Sequence, residues 1–115
     1  MASSASCPFC RIARGELPAK IVYETDEVVA FEDLSPQAPA HLLVIPRRHV
    51  ASLDALDDAG LAGDLLLAAA ETARLQGIDG AGYRVVTNIG EEGGQSVAHL
   101  HLHILGGRRM AWPPG

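Results

Sequence analysis

Three of the chain's five histidines alternate with leucine in His99-Leu100-His101-Leu102-His103, and the run continues into Ile104-Leu105. A side-chain period of two belongs to an extended strand. All three imidazoles are then expected on one sheet face, with neighbouring rings starting about 6.6 Å apart, and Leu100, Leu102 and Ile104 on the other. The histidine face is not ordinary core, because three buried rings would need three sets of hydrogen-bond partners. Residues 97–105 are therefore expected as a strand with one apolar face and one chemical face.

The remaining segments supply a sheet around it. Residues 20–23 and 28–31 are short β-branched or aromatic runs separated by Glu24-Thr25-Asp26-Glu27, which reads as a hairpin. Ser35-Pro36-Gln37-Ala38-Pro39-Ala40 is a loop, since each proline disfavours helix in the residue before it. Residues 41–45 form a third strand that Pro46 ends, and residues 83–88 a fourth. A small helix is expected over residues 8–14. The one long helix is expected over 54–76, where Leu53, Leu56, Leu61, Leu65, Ala68 and Ala69 return at helical spacing and Asp54, Asp57 and Asp58 suit its N-terminal end. Gly77 stops it. Hairpin-linked strands with one long and one short helix give an α+β fold with a five-stranded antiparallel sheet. At 115 residues the chain is expected to form one domain, residues 1–115. Aromatics are only 4%, so its core is expected to be mostly Ala, Val, Ile and Leu.

Charge narrows the partners. A formal net charge of -5 argues against a protein that wraps long nucleic acid. A small anionic ligand held by a few backbone amides remains open. No apolar run approaches the roughly 18 residues of a membrane span. Residues 1–6 are small and polar, unlike a signal peptide. A cytoplasmic protein is expected, with no membrane and no nucleic-acid partner, and with Cys7 and Cys10 as reduced thiols or metal ligands.

Two chemistries compete for the histidines. Two histidines two apart on a strand can share a zinc ion. Alternatively, imidazole is a nucleophile near neutral pH, because its reference pKa is about 6.5. Gly93-Gly94-Gln95-Ser96 stands just before the run. Successive amides of a glycine turn can form an anion-binding nest, with the Ser96 hydroxyl and Gln95 amide beside it. No Gly-Lys-Ser/Thr follows, so this is not a Walker loop. A glycine loop that holds a phosphate and feeds a histidine that attacks it is a coherent pair. Cys7-Pro8-Phe9-Cys10 suits half a zinc site or a redox pair; no strand precedes it, as a thioredoxin-like motif would require.

These blocks resemble the histidine triad (HIT) family, and within it the Hint branch of nucleoside phosphoramidases. The resemblance spans nearly the whole chain. It is carried by Leu17-Pro18-Ala19-Lys20-Ile21-Val22-Tyr23-Glu24, Ala30-Phe31-Glu32-Asp33-Leu34-Ser35-Pro36-Gln37-Ala38-Pro39 and His41-Leu42-Leu43-Val44-Ile45-Pro46 with Arg47-Arg48-His49. Gly94-Gln95-Ser96-Val97-Ala98-His99-Leu100-His101-Leu102-His103, Leu105-Gly106-Gly107-Arg108 and Trp112-Pro113-Pro114-Gly115 complete it.

The resemblance implies a homodimer whose two sheets join into one of ten strands. It implies cleavage of a purine nucleoside 5′-phosphoramidate, such as adenosine 5′-phosphoramidate or AMP-lysine, through a nucleotidyl-histidine. His101 is then the nucleophile, His103 contacts phosphate oxygens, His41 orders the histidines, and Ser96 assists the leaving group. Gly94 and Gln95 lie at the phosphate. Asp33 receives the ribose hydroxyls, as one carboxylate accepts two O–H bonds. Asn88 lies near phosphate and ribose. Phe9, Ile12, Leu17, Phe31 and Leu34 match positions lining the base pocket, with core packing the alternative for each. Many bacterial-type members hold structural zinc, and the ligands matching here are Cys7, Cys10, His49 and His99. No catalytic cofactor is implied. A dinucleoside polyphosphate hydrolase of the Fhit-like branch and a nucleotide-binding regulatory module are the alternatives; the short ending with Trp-Pro-Pro-Gly speaks against the first.

Overall fold

The computed structural model describes residues 5–115. Residues 1–4, part of the polar start considered above, lie outside the described residues. Helix α1 (Pro8–Ala13) opens on Cys7, whose Sγ accepts the Cys10 amide at 3.4 Å, with Pro8 in the first turn where its missing N–H costs nothing. Strands β1 (Ile21–Glu24) and β2 (Val28–Glu32) form the expected hairpin. The Thr25 hydroxyl closes its turn by accepting the amides of Glu27 and Val28, both at 3.1 Å. Strand β3 (Ala40–Pro46) follows the proline loop, then α2 (Ala59–Leu75), β4 (Tyr83–Val86), a four-residue turn of helix α3 (Gly90–Gly93) and β5 (Leu102–Gly106).

The five strands lie in the order β1-β2-β3-β5-β4, every pair antiparallel. β2 and β3 run almost wholly apolar because both of their faces are covered. On one face α2 packs Leu61, Leu65, Ala68, Ala69 and Ala73 onto Val28, Ala30, Leu42, Val44, Leu102 and Ile104. On the other, α1 brings Cys7, Phe9 and Cys10 onto Val29, Phe31, Leu43 and Ile45. The layers approach closely where a Cβ on Gly106 would lie 2.7 Å from Ile78, so β5 needs glycine there. No helix of the described residues is long and apolar enough to cross a membrane.

Three local expectations are corrected. The helix over 54–76 begins later: Leu53–Ala55 form a 3-10 turn, and the helix starts at Ala59. Asp58 is worth more as an N-cap, its Oδ1 accepting the Leu61 amide at 3.1 Å, than inside a helix. The strand over 97–105 is paired only from Leu102, where its ladder with β3 ends at the Val44–Leu102 pair although β3 itself runs on to Pro46. Residues 97–101 continue past the ladder, held by the Leu100 amide on the Val50 carbonyl at 2.6 Å. The fourth strand likewise ends at Val86 instead of residue 88. There the Thr87 hydroxyl donates to the His101 carbonyl at 2.9 Å.

Candidate active site and metal centre

The face alternation survives the loss of the ladder. Leu100, Leu102 and Ile104 are buried under α2, while His99 and His101 lie against Phe9 of α1. Register places Leu43 opposite His103 and His41 opposite Leu105, so His41 and His103 are diagonal neighbours on that same face. Their ring centroids are 5.2 Å apart, and those of His101 and His103 are 5.0 Å apart.

Hydrogen bonds assign each ring its tautomer. A carbonyl oxygen only accepts, so His101 Nδ1, 2.7 Å from the His99 carbonyl, carries the proton. Its Nε2 is left with a lone pair. The Gln37 amide donates to His41 Nδ1 at 3.0 Å, so neutral His41 carries its proton on Nε2. That N–H donates to His103 Nδ1 at 2.9 Å, with Asp33 Oδ2 at 3.4 Å. His103 therefore carries its own proton on Nε2. One ring offers a nucleophilic nitrogen, and its neighbour a donor. Burial lowers the His41 pKa, against the pull of Asp33. Burial also lowers that of His103, reinforced by His101 and His41 and opposed by Asp33. Neutral rings are thus favoured, as the hydrogen-bond chain requires.

Asp33, His41 and His103 bring three potential ligand atoms within 4.8 Å of one another. A cation there would need the Nε2 lone pair of His41, while Gln37 already occupies the Nδ1 lone pair. Both nitrogens of a neutral imidazole cannot be unprotonated. This trio is a hydrogen-bond relay.

The second cluster has the opposite character. Cys7, Cys10, His49 and His99 offer four ligand atoms mutually within 4.8 Å, and three of these residues are buried. His99 Nδ1 lies 3.2 Å from Cys7 Sγ and 3.5 Å from Cys10 Sγ, and His49 Nδ1 lies 3.3 Å from Cys10 Sγ. Tetrahedral zinc separates sulfur and nitrogen ligands by roughly 3.6 Å, given bonds of about 2.3 and 2.05 Å. The ring of His99 is ready for such a role: its Nε2–H donates to the Pro46 carbonyl at 2.9 Å, turning the Nδ1 lone pair onto the thiols. Burial and the neighbouring Cys7 push the Cys10 thiol up to about 11, a penalty that a cation beside the sulfur reverses. Both cysteines are free thiols.

The glycine segment differs from the expected nest. Gly90–Gly93 form a helical turn that Gly94 closes in the left-handed region at φ 79°. The Gly90 amide donates to Gln95 Oε1 at 3.2 Å, Gly94 to the Glu91 carbonyl and Gln95 to the Gly90 carbonyl, both at 3.0 Å. These amides are committed within the turn. Gln95 Nε2 also donates to the carbonyls of Ala51 at 2.7 Å and Val97 at 3.0 Å. The side chain thus tethers the turn to the loop after β3. Ser96 is exposed.

Asn88, His41 and His103 share a cleft of about 410 Å³ with Gln37, Arg84 and Arg108. Phe9 and Phe31 are buried, edge to face at 5.6 Å. Ile12 packs half-buried against their cluster, and Leu17 is half-buried. Leu34 is 92% exposed, so it stands as open surface and encloses no pocket by itself. Asp33 Oδ1 accepts the Ser35 amide at 2.8 Å, which orients the carboxylate beside His41. Gln37, Pro46 and Thr87 were not picked out from the sequence. They act through a backbone amide, a carbonyl and a short-range hydroxyl, none of which residue type announces.

Comparison with known proteins decides the ancestry. The HIT domain family model matches residues 14–110. The chain belongs to the HIT family. It is 50% identical over 109 residues to an uncharacterized HIT-like protein of Synechococcus elongatus, covering 93% of this chain and 95% of that one. Among solved structures, the HIT family hydrolase of Legionella pneumophila Philadelphia 1 superposes with TM-score 0.92 at 47% identity, covering 96% of this chain and all of that one. The HIT family hydrolase of Clostridium thermocellum gives TM-score 0.89 at 42% identity, covering 92% and 94%.

Proposed function

We propose that this HIT domain, residues 1–115, is a nucleotide-binding hydrolase that cleaves purine nucleoside 5′-phosphoramidates. The observation that carries the reading is the His101 Nδ1–H bond to the His99 carbonyl, which leaves Nε2 unprotonated and able to attack. That Nε2 forms a bond to the α-phosphorus as the P–N bond breaks, and the amine departs with a proton taken from solvent. Water then forms the new P–O bond and returns a proton to solvent, the His101–phosphorus bond breaks, and nucleoside monophosphate leaves. Dividing one displacement into two lowers each barrier. The His103 Nε2–H donates to a phosphoryl oxygen and so favours the charge that develops there. His41 holds that tautomer, and the exposed Ser96 hydroxyl assists the leaving nitrogen.

Asp33 receives the ribose hydroxyls, and Asn88 binds between ribose and phosphate. Gly94 and Gln95 shape the phosphate side by fixing the turn that presents Ser96. The base lies over Phe9, Ile12, Leu17 and Phe31 and covers Leu34. Such a substrate agrees with hydrolase chemistry in the Legionella and Clostridium relatives. Cys7, Cys10, His49 and His99 would hold a structural zinc ion, which would cross-link α1 to the loop after β3 and to the segment before β5. The working form is a homodimer joined through β4, an edge strand whose Val85 lies beside exposed Leu53 and Leu66. Edge pairing there buries apolar surface and extends the sheet to ten strands.

A dinucleoside polyphosphate substrate is the second reading. It is favoured by Arg84 and Arg108, which line the His103 cleft with no carboxylate among its described lining residues. Adenosine 5′-phosphoramidate hydrolysis by wild type and His101→Ala separates the two. AMP release that the substitution abolishes supports the phosphoramidase. A folded wild type that binds AMP but turns over only the polyphosphate supports the second reading.

A further inference from the structure

The metal cluster and the reacting ring share one residue, His99. Its side chain is 0% exposed and is gripped at both nitrogens, by the Pro46 carbonyl at Nε2 and by the Cys7 and Cys10 thiols at Nδ1. Its carbonyl, in the same residue, receives the His101 Nδ1–H. Residues 97–101 lie outside the sheet ladder, so this carbonyl has no strand pairing; its peptide is held on the other side by the Leu100 amide, which donates to the Val50 carbonyl at 2.6 Å. Phe9, inside the Cys7–Cys10 turn, meets the rings of His99 at 5.8 Å and His101 at 5.1 Å, both nearly perpendicular. His49 closes the cluster from the loop after β3, its ring 5.1 Å from that of His99.

We infer that Cys7, Cys10 and His49 are positioning residues for the nucleophile: by fixing the His99 ring they fix the His99 carbonyl, and with it the tautomer of His101. This rests on the reading of His101 as nucleophile and of the cluster as a cation site. The cluster lies where the chain leaves the sheet yet must hold a hydrogen-bond acceptor in position. A cation there does more than stabilise the fold. Partners that hold a metal ligand in its orientation typically carry about 10–100-fold of metal affinity or activity, which sets the scale for this coupling.

The test uses the full chain, loaded with Zn²⁺ and then depleted by a chelator, with circular dichroism to follow the fold. Long-range ¹⁵N–¹H spectra of the imidazoles read the His101 tautomer directly. Loaded protein is expected to show only Nδ1–H at His101. Folded, depleted protein is expected to show a mixture with Nε2–H, and a kcat for adenosine 5′-phosphoramidate about 10–100-fold lower, with AMP affinity changed less than kcat. His49→Gln, which leaves three donors in place, is expected to fall between. If depletion unfolds the chain, Cd²⁺ replaces Zn²⁺ in the folded protein; its longer bonds are expected to shift the His101 Nδ1 resonance. An unchanged His101 tautomer in folded depleted protein, or an unmoved resonance on Cd²⁺ exchange, overturns the inference. A chain that takes up neither ion overturns it as well, together with the metal assignment. The tautomer needs no substrate to be read, so failure of the phosphoramidase reading is seen separately.

Discussion

Replacing His41 tests the relay. In the structure His41 does two things at once: it accepts the Gln37 amide at 3.0 Å and donates to His103 Nδ1 at 2.9 Å. The side chain is only 3% exposed, so water does not substitute readily for either bond. His41→Leu keeps the apolar bulk and removes both. Leaving the Gln37 N–H and His103 Nδ1 without partners costs about 1–3 kcal/mol each where both are buried. His103 is half-buried and Gln37 exposed, so the lower end applies and about 2 kcal/mol of folding stability is expected to go. The catalytic loss is separate. Without a donor at Nδ1, His103 is free to place its proton there and present a lone pair to the phosphate. A neutral buried hydrogen bond worth about 1–1.5 kcal/mol corresponds to about tenfold in tautomer ratio, and kcat/KM is expected to fall about tenfold with it. In His41→Gln the amide nitrogen reaches the position of the lost Nε2–H, and most of the activity is expected to return. Phosphoramidate kinetics and urea unfolding of the three proteins measure both effects. Equal activity of the Leu and Gln variants would refute the donor role, and a His41→Leu protein as active as wild type would refute the relay altogether.

Two further outcomes follow from the same geometry. Burial lowers the pKa of His41 and His103, so on acidification the unfolded chain takes up these protons first. Stability is expected to be level above pH of about 6.5 and to fall as pH drops below it, with activity following as the relay charges; urea midpoints that rise between pH 7.5 and 5.5 would contradict this. Val85, 41% exposed on edge strand β4, is expected on the dimer seam, so Val85→Asp should convert dimer to monomer in light scattering while leaving the far-ultraviolet spectrum intact. A monomeric wild type would remove that seam.

Much of this site was legible in the one-dimensional pattern. The His-Leu alternation assigned the faces of residues 99–105, because side-chain direction in an extended chain is local geometry. The Cys7-Pro8-Phe9-Cys10 turn was legible for the same reason: a proline at the first helical position and two cysteines three apart bring both thiols to one end of α1. The order of strands within an antiparallel sheet followed less directly, and helix ends less still. Asp54, Asp57 and Asp58 suited the N-terminal end of a helix from residue 54, and the Asp58 side chain capping the Leu61 amide puts the start at Ala59.

Residue identity and spacing by themselves determined which groups are available: three alternating rings, two thiols, a glycine turn and a family membership. Tertiary structure alone decided which of them meet and in which protonation state. Cys10 and His49 are 39 positions apart, and His41 and His103 are 62 apart. The nitrogen of His101 left free to attack was settled by a carbonyl, and that of His41 by the Gln37 amide. Every residue but proline carries the same amide and carbonyl, so nothing in the letters marks the ones that matter. Their roles come from where the fold puts them.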